Sequence, residues 1–230
     1  MTCAPPSAAT AAPAPRPAVS ITPDLVREAV LRGRRGASSD FDLNPHVVRP
    51  DAPAAPLRKA GVLCALVDRG DGAGLRVVLT RRADHLRKHA GQVAFPGGGL
   101  EAGDPSLLHA ALREADEEIG LSPTGVDVVG EIDGHETVTG FSVTPFVGFI
   151  DAGFVARPDP GEVAEVFEPP LDFLMKPANH VRESRLYQGQ RRFFYAMPWE
   201  GRYIWGATAR MLVGLSERIA SIGACDEAGE

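Results

Sequence analysis

The chain has 230 residues, 44% hydrophobic and 23% charged, which suits one globular domain large enough to bury a core. A formal net charge of -6 argues against a nucleic-acid partner, and Cys3, Cys64 and Cys225 lie too far apart for a zinc motif or a disulfide framework. No apolar run approaches the ~20 residues of a bilayer-spanning helix, so the expectation is a soluble cytoplasmic protein without a membrane partner.

Residues 1–21 are Ala/Pro-rich, lack the apolar core of a signal peptide and predict a disordered tail. Residues 22–57 predict a short helix and a Pro-rich connector, with Thr22 as N-cap, Pro23 at the first helical position and Asp24 at the positive helix end. The compact domain is expected over 58–222, followed by a tail at 223–230. "AGVLCALV" (60–67) and "LRVVLTRR" (75–82) flank the turn-forming "DRGDGAG" and read as a hairpin. "GQVAF" (91–95) reads as a strand stopped by "PGGG", and a helix is expected over 105–119. "VDVVGEI", "TPFVGFI" and "RFFYAM" give further strands, and "YIWGATARMLVGLSERIASI" a closing amphipathic helix. This order makes a mixed α+β domain rather than a βαβ repeat.

The helix at 105–119 carries an unusual charge run, "READEEIG". Asp104 and Pro105 supply a start signal and Gly120 a stop. Leu108, Ala111, Leu112, Ala115 and Ile119 share one sector and predict the core face. Glu114, Glu117 and Glu118, spaced i, i+3, i+4, converge on the neighbouring sector, and Arg113 stands where it can brace Glu117. The bland reading is a solvated face. Against it, acids at a helix C-terminus oppose the macrodipole, and like charges at i, i+4 repel. Three acids on one face call for a cation, and oxygen ligands suit a hard divalent ion. The Gly-rich "FPGGGLEAGD" leads into the helix with backbone groups open to a ligand.

"GLEAGDPSLLHAALREADEEIGL", Gly99 to Leu121, resembles the Nudix box, G-x5-E-x7-R-E-U-x-E-E-x-G-U with U apolar. One position departs, since the early Glu falls on Pro105. The resemblance implies a Nudix-type α/β/α sandwich with a mixed β-sheet, and hydrolysis of a diphosphate linked to another moiety. It implies Mg2+ or Mn2+ held by Glu114, Glu117 and Glu118, with the Gly99 carbonyl as a further ligand. The missing Glu leaves the partner of Arg113 open between Glu101 and Asp104.

Upstream, Arg81, Arg82, Arg87 and Lys88, with His85 and His89 among them, form a basic patch in an acidic chain. Such a patch suits phosphate binding, although solvated strand-end cations are an equal alternative. The stretch from Leu79 to Gly98, through Thr80, Arg82, Ala83, Arg87, Gly91, Phe95, Pro96 and Gly97, is similar to the signature of the coenzyme A pyrophosphatase branch. That likeness implies cleavage of coenzyme A or its thioesters to 4′-phosphopantetheine and adenosine 3′,5′-bisphosphate. Arg81, Arg82, Arg87, Gly97 and Gly98 would bind substrate, by direct water attack in which Arg113 assists and a glutamate, Glu117 or Glu162, takes the proton. "GEVAEVFE" reads either as a solvated helix turn or as a loop bringing Glu162 or Glu165 to the metal. Phe141, Phe146, Phe149, Trp205 and Met211 are expected to pack, and His135 and His180 have no assigned role. Hydrolysis of another diphosphate such as ADP-ribose, or silent nucleotide binding, remain alternatives, and a homodimer is compatible with the chain.

Overall fold

The computed structural model describes residues 21–33, 36–46, 56–187 and 189–226, so the expectations for the Ala/Pro tail at 1–20, for Cys3 and for 227–230 fall outside the described residues. α1 (Pro23–Arg32) starts where Thr22 and Pro23 predict, with the Leu25 N–H donating to Thr22 Oγ1 at 3.3 Å. Its Val26, Ala29 and Val30 are buried in the same core as the body. A domain start near residue 58 therefore leaves out a helix that packs into the body. β1 (Ser38–Ser39) precedes β2 (Arg58–Asp68), the long apolar strand at the centre of the molecule.

β3 (Leu75–Val77) closes the expected hairpin with β2, from Leu66↔Val77 to Asp68↔Leu75. The run "LRVVLTRR" does not continue as one strand, however. β4 (Leu79–Arg82) leaves for a second sheet, where it pairs with β5 (Val93–Ala94). Leu75, Val77 and Leu79 join one core and Val78 the other, so the apolar alternation carries no mark of the change of partner. The "PGGG" expected to stop a strand contains one, since β6 (Gly97–Gly99) pairs antiparallel with β2.

α2 (Leu107–Ile119) starts later than Asp104–Pro105 predict: Ser106 is the N-cap, accepting from the His109 N–H at 3.1 Å. It ends on Gly120 in the left-handed conformation, φ 69°. β7 (Val126–Glu131), the two-residue β8 (His135–Glu136) and β9 (Phe141–Ile150) follow. The "GEVAEVFE" stretch is neither helix nor loop throughout. It forms β10 (Val163–Phe167), antiparallel to β4. After α3 (Leu171–Met175), β11 (Val181–Tyr187), β12 (Gln190–Trp199) and β13 (Arg202–Trp205) make a third, antiparallel sheet. "YIW" thus ends a strand instead of opening the last helix, and Gly206, φ 66°, separates it from α4 (Ala207–Asp226). α4 carries past residue 222, through the first four residues of the expected C-terminal tail.

The main sheet runs β1-β8-β9-β2-β3, with β6 also on β2 and β7 on β9. β2 lies parallel to β9 from Arg58↔Phe141 to Leu66↔Phe149, and most other pairs are antiparallel, so the sheet is mixed. Alternation along β2 divides the core in two. Leu63, Ala65 and Val67 pack with Ala111, Ala115 and Ile119 of α2, while Ala60, Cys64 and Leu66 join residues of α1, α3 and α4. Helices therefore cover both faces, the α/β/α sandwich that the resemblance implies. α2 sits so close to β2 that a Cβ at Gly61 would lie 2.1 Å from the Leu107 carbonyl oxygen.

Burial pushes the Cys64 thiol up to about 12, which makes it an inert core residue. His135 is buried between Ser38 Oγ and Asp40 Oδ1, each 3.0 Å away, and joins β8 to β1 and the residues after it. His180 Nε2 lies 2.7 Å from the Leu174 carbonyl. Among the described residues no helix is long and apolar enough to cross a membrane.

Candidate active site

β6 is the hinge of the site. Its even-side neighbours bond to β2, with Leu63 N–H on the Pro96 carbonyl and Leu100 N–H on the Lys59 carbonyl. The strand's alternation turns groups of Gly97 and Gly99 the other way, toward the last turns of α2. There the Gly97 N–H donates to Glu118 Oε2 at 3.3 Å, and the Gly99 carbonyl accepts from Arg113 Nη2 at 3.4 Å. Strand and helix approach so closely that a Cβ on Gly98 would lie 2.4 Å from the Glu114 carboxylate. The glycines make room for the acids.

The three acids of the stripe do not share one environment. Glu118 is 4% exposed, and burial pushes its carboxyl up to about 8, the Gly97 N–H opposing and the charge of Glu114 adding to the rise. Burial likewise raises Glu114, with Arg113 pulling it back down. Glu117 stands apart: its side chain is 60% exposed and held by Arg113 Nη1 at 2.9 Å. No three acids or histidines among the described residues gather closely enough to hold an ion as the side chains stand. The convergence read from helical spacing is thus complete for Glu114 and Glu118 and incomplete for Glu117. Helical spacing gives the angle around the axis, not the side on which the neighbouring strand lies.

Arg113 is the centre of the polar network. Besides Glu117 it reaches Glu114 Oε1 at 3.1 Å, and it grips Asp104 with Nε at 3.1 Å and Nη2 at 3.2 Å. Asp104, with its side chain 2% exposed, also accepts from the Glu101 N–H at 2.9 Å and lies 2.9 Å from His109 Nδ1. Arg113 above all holds the Asp104 carboxyl well below the usual range. The choice between Glu101 and Asp104 as partner of Arg113 therefore resolves to Asp104.

Opposite α2, β4 brings Arg82 to the acids, Nη1 3.8 Å from Glu118 Oε1, and its buried Nε has no hydrogen-bond partner. Arg81 points elsewhere. It is tied to Asp84 at 2.6 Å and reaches Glu165 at 3.8 Å, so it is not free for a phosphate as expected. Glu165 is further engaged by Arg202 Nε at 2.9 Å, so two guanidinium groups share it. Arg87 and Lys88 are exposed in the loop after β4, while His85 Nε2 lies 3.2 Å from the Gly161 carbonyl.

Glu162 comes to the site by backbone bonding. The Arg157 N–H donates to the Ile119 carbonyl at 2.8 Å and the Asp159 N–H to the Glu118 carbonyl at 2.9 Å, so the segment before β10 caps the end of α2. Its other end is held where the Ala83 N–H meets the Glu162 carbonyl at 2.8 Å. From there the charge of Glu162 raises both Glu114 and Glu118. The cap role of Arg157 and Asp159 has no signal in the sequence, since it uses main-chain groups alone.

The donor set is one of hard oxygens: Glu118 is buried, the half-buried Glu114 adds its charge to the same place, and Arg82 and Arg113 are cations in reach. Such a set fits a divalent cation, which would offset the repulsion that burial magnifies. A family model described as "NUDIX domain" matches residues 57–194. A Salmonella paratyphi B protein described as "Uncharacterized Nudix hydrolase NudL" is 41% identical over 162 residues, 70% of this chain and 83% of the relative. Among solved structures, a MutT/nudix family protein from Enterococcus faecalis is similar with a TM-score of 0.45 and 15% identity, covering 87% of this chain and 75% of that one. The NUDIX domain of Shewanella oneidensis NrtR, complexed with ADP ribose, scores 0.40 at 21% identity, covering 60% and 86%.

Proposed function

The chain belongs to the Nudix hydrolase family, which acts on phosphoanhydride bonds, and from that premise we propose that it cleaves the diphosphate of coenzyme A or its thioesters. The products are 4′-phosphopantetheine, or its acyl form, and adenosine 3′,5′-bisphosphate. The observation that carries this reading is Arg82. It belongs to the stretch that resembles the coenzyme A branch signature, it faces Glu118, and its Nε is buried with no acceptor. A phosphate oxygen is the acceptor that such a guanidinium lacks.

Glu114, Glu118 and the Gly99 carbonyl would hold Mg2+ or Mn2+, with Glu117 joining once it releases Arg113. The ion supplies charge neutralisation on the diphosphate and a lowered pKa for the attacking water. The chain's own groups do the rest. Arg82 clamps a phosphate oxygen next to the acids, and Arg87 and Lys88 offer cations to a further phosphate such as the 3′-phosphate. Glu162, on a turn fastened at both ends, takes the proton of the attacking water and holds it until solvent removes it. One water adds across the anhydride, so each product leaves with a terminal phosphate.

The test is a substrate panel with Mg2+ or Mn2+, read as kcat/KM. Coenzyme A or an acyl-coenzyme A is expected to be cleaved at least ~10-fold better than ADP-ribose, dinucleoside polyphosphates or nucleoside triphosphates, a difference of about 1.4 kcal/mol. Preference for ADP-ribose would move the chain to another Nudix activity. Binding without cleavage of any compound would make it a nucleotide-binding member.

A further inference from the structure

We propose that Asp104 is the positioning residue that replaces the acid lost at Pro105, and that it works by keeping the Arg113 guanidinium from competing with the metal for its ligands. The inference rests on reading the site as a divalent-metal centre. Arg113 touches Glu114 at 3.1 Å, Glu117 at 2.9 Å and the Gly99 carbonyl at 3.4 Å. These are three of the groups assigned to the cation, so the guanidinium occupies the cation's place on them. Nη1 makes the Glu117 contact, while Nη2, which touches Glu114 and Gly99, is also held by Asp104 at 3.2 Å, in a roughly parallel pair with Nε at 3.1 Å. When a cation takes the glutamates, that bidentate pair is what remains to hold Arg113 and to balance its charge.

The geometry of the turn explains why position 104 can do this. Asp104 N–H donates to the Glu101 carbonyl at 3.0 Å, and Glu101 N–H returns to Asp104 Oδ2 at 2.9 Å. This reciprocal turn aims the carboxylate inward, where its side chain is 2% exposed. α2 begins only at Leu107, capped by Ser106, so Asp104 is spared the capping role that its place before Pro105 suggests. The proline offers no charge, and the acid has moved one residue toward the N-terminus. Removing the charge of Asp104 leaves Arg113, among its described ion pairs, with Glu114 and Glu117, the carboxylates assigned to the metal, and so sets the guanidinium against the cation for them.

Titration of Mn2+ followed by electron paramagnetic resonance tests this, on the wild type, D104N, D104N/P105E and H109A, each checked for a cooperative melt. D104N is expected to bind Mn2+ roughly 10-fold or more weakly, the lower end of what losing a supporting residue costs. Adding P105E is expected to recover most of that loss. H109A, which removes another Asp104 partner and leaves the carboxylate that grips Arg113, is expected to bind like the wild type. Where D104N melts too low to titrate, D104E and D104Q are compared, equal in size and different in charge, with weaker binding expected for D104Q. Wild-type affinity in D104N, equal affinities in the D104E and D104Q pair, or a double variant no tighter than D104N would each overturn the inference. A wild type that binds no Mn2+ would instead overturn the metal-centre reading, and this inference with it.

Discussion

At the scale of single residues, Glu118 concentrates the chemistry. It is the most buried acid of the stripe, it receives the Gly97 N–H, and its carboxyl resists ionisation because burial removes water. E118Q keeps the shape and removes a charge that the fold has to bear, so its melting temperature is expected to match or exceed that of the metal-free wild type. Its turnover is expected to fall by more than the ~10–100-fold typical of losing a supporting residue. Steady-state kinetics beside a thermal melt measures both, and near-normal turnover would sink the assignment of the metal to this helix. The stripe itself was legible from the spacing of Glu114, Glu117 and Glu118. So was the brace of Arg113 on Glu117, but that Glu117 stays exposed while Glu118 is buried was not, because a helical wheel does not say where β6 passes. Arg81 and Arg82 are likewise adjacent in sequence, yet the alternation of β4 gives Arg82 to the acids and Arg81 to Asp84 and Glu165.

At the scale of elements, local signals located the helices better than the strands. Thr22 and Gly120 act through hydrogen bonds within a few residues, which a sequence displays, whereas Ser106 caps α2 later than the Asp104–Pro105 signal predicts. β1 is two residues long and pairs with β8, 97 positions further along the chain at Ser38↔His135. The attachment of α1 is the clearest long-range case. Arg218 on α4, 2% exposed, donates from Nη1 to the Ala29 and Val30 carbonyls at 3.2 and 2.9 Å, and from Nε to Asp133 at 3.0 Å. One side chain thus satisfies the end of α1 and pins it to α4 and the β7–β8 connection. R218A would strand a half-buried carboxylate and two carbonyls, at a cost of about 3 kcal/mol or more. Urea unfolding measures it, and a loss below ~1 kcal/mol would show that α1 is held by its apolar face alone.

At the scale of the whole molecule, the site is a junction of three separate pieces of chain. β6 leans on β2, α2 covers the face of the same sheet, and the second sheet brings β4 and the residue before β10 to the far side. A cation held at this junction would therefore be linked to the stability of the entire sandwich. At Mn2+ concentrations near 100 times Kd, stabilisation of about 2.7 kcal/mol is expected, a rise in melting temperature of roughly 5–10 °C that a chelator reverses. A melting temperature indifferent to Mn2+ would count against any metal in this place. The sequence by itself determined the family, the hydrolase class, the α+β layering and the identity of the acidic helix. Those depend on residue type at fixed short spacings, and the physics of a helix or a glycine turn acts over the same few residues. It took the tertiary structure to show that Asp104 holds Arg113, that Arg202 binds Glu165, and that α1 belongs to the core. Each of these depends on which sheet a strand joins and which face it presents, and those choices are made by burial among residues up to 189 positions apart.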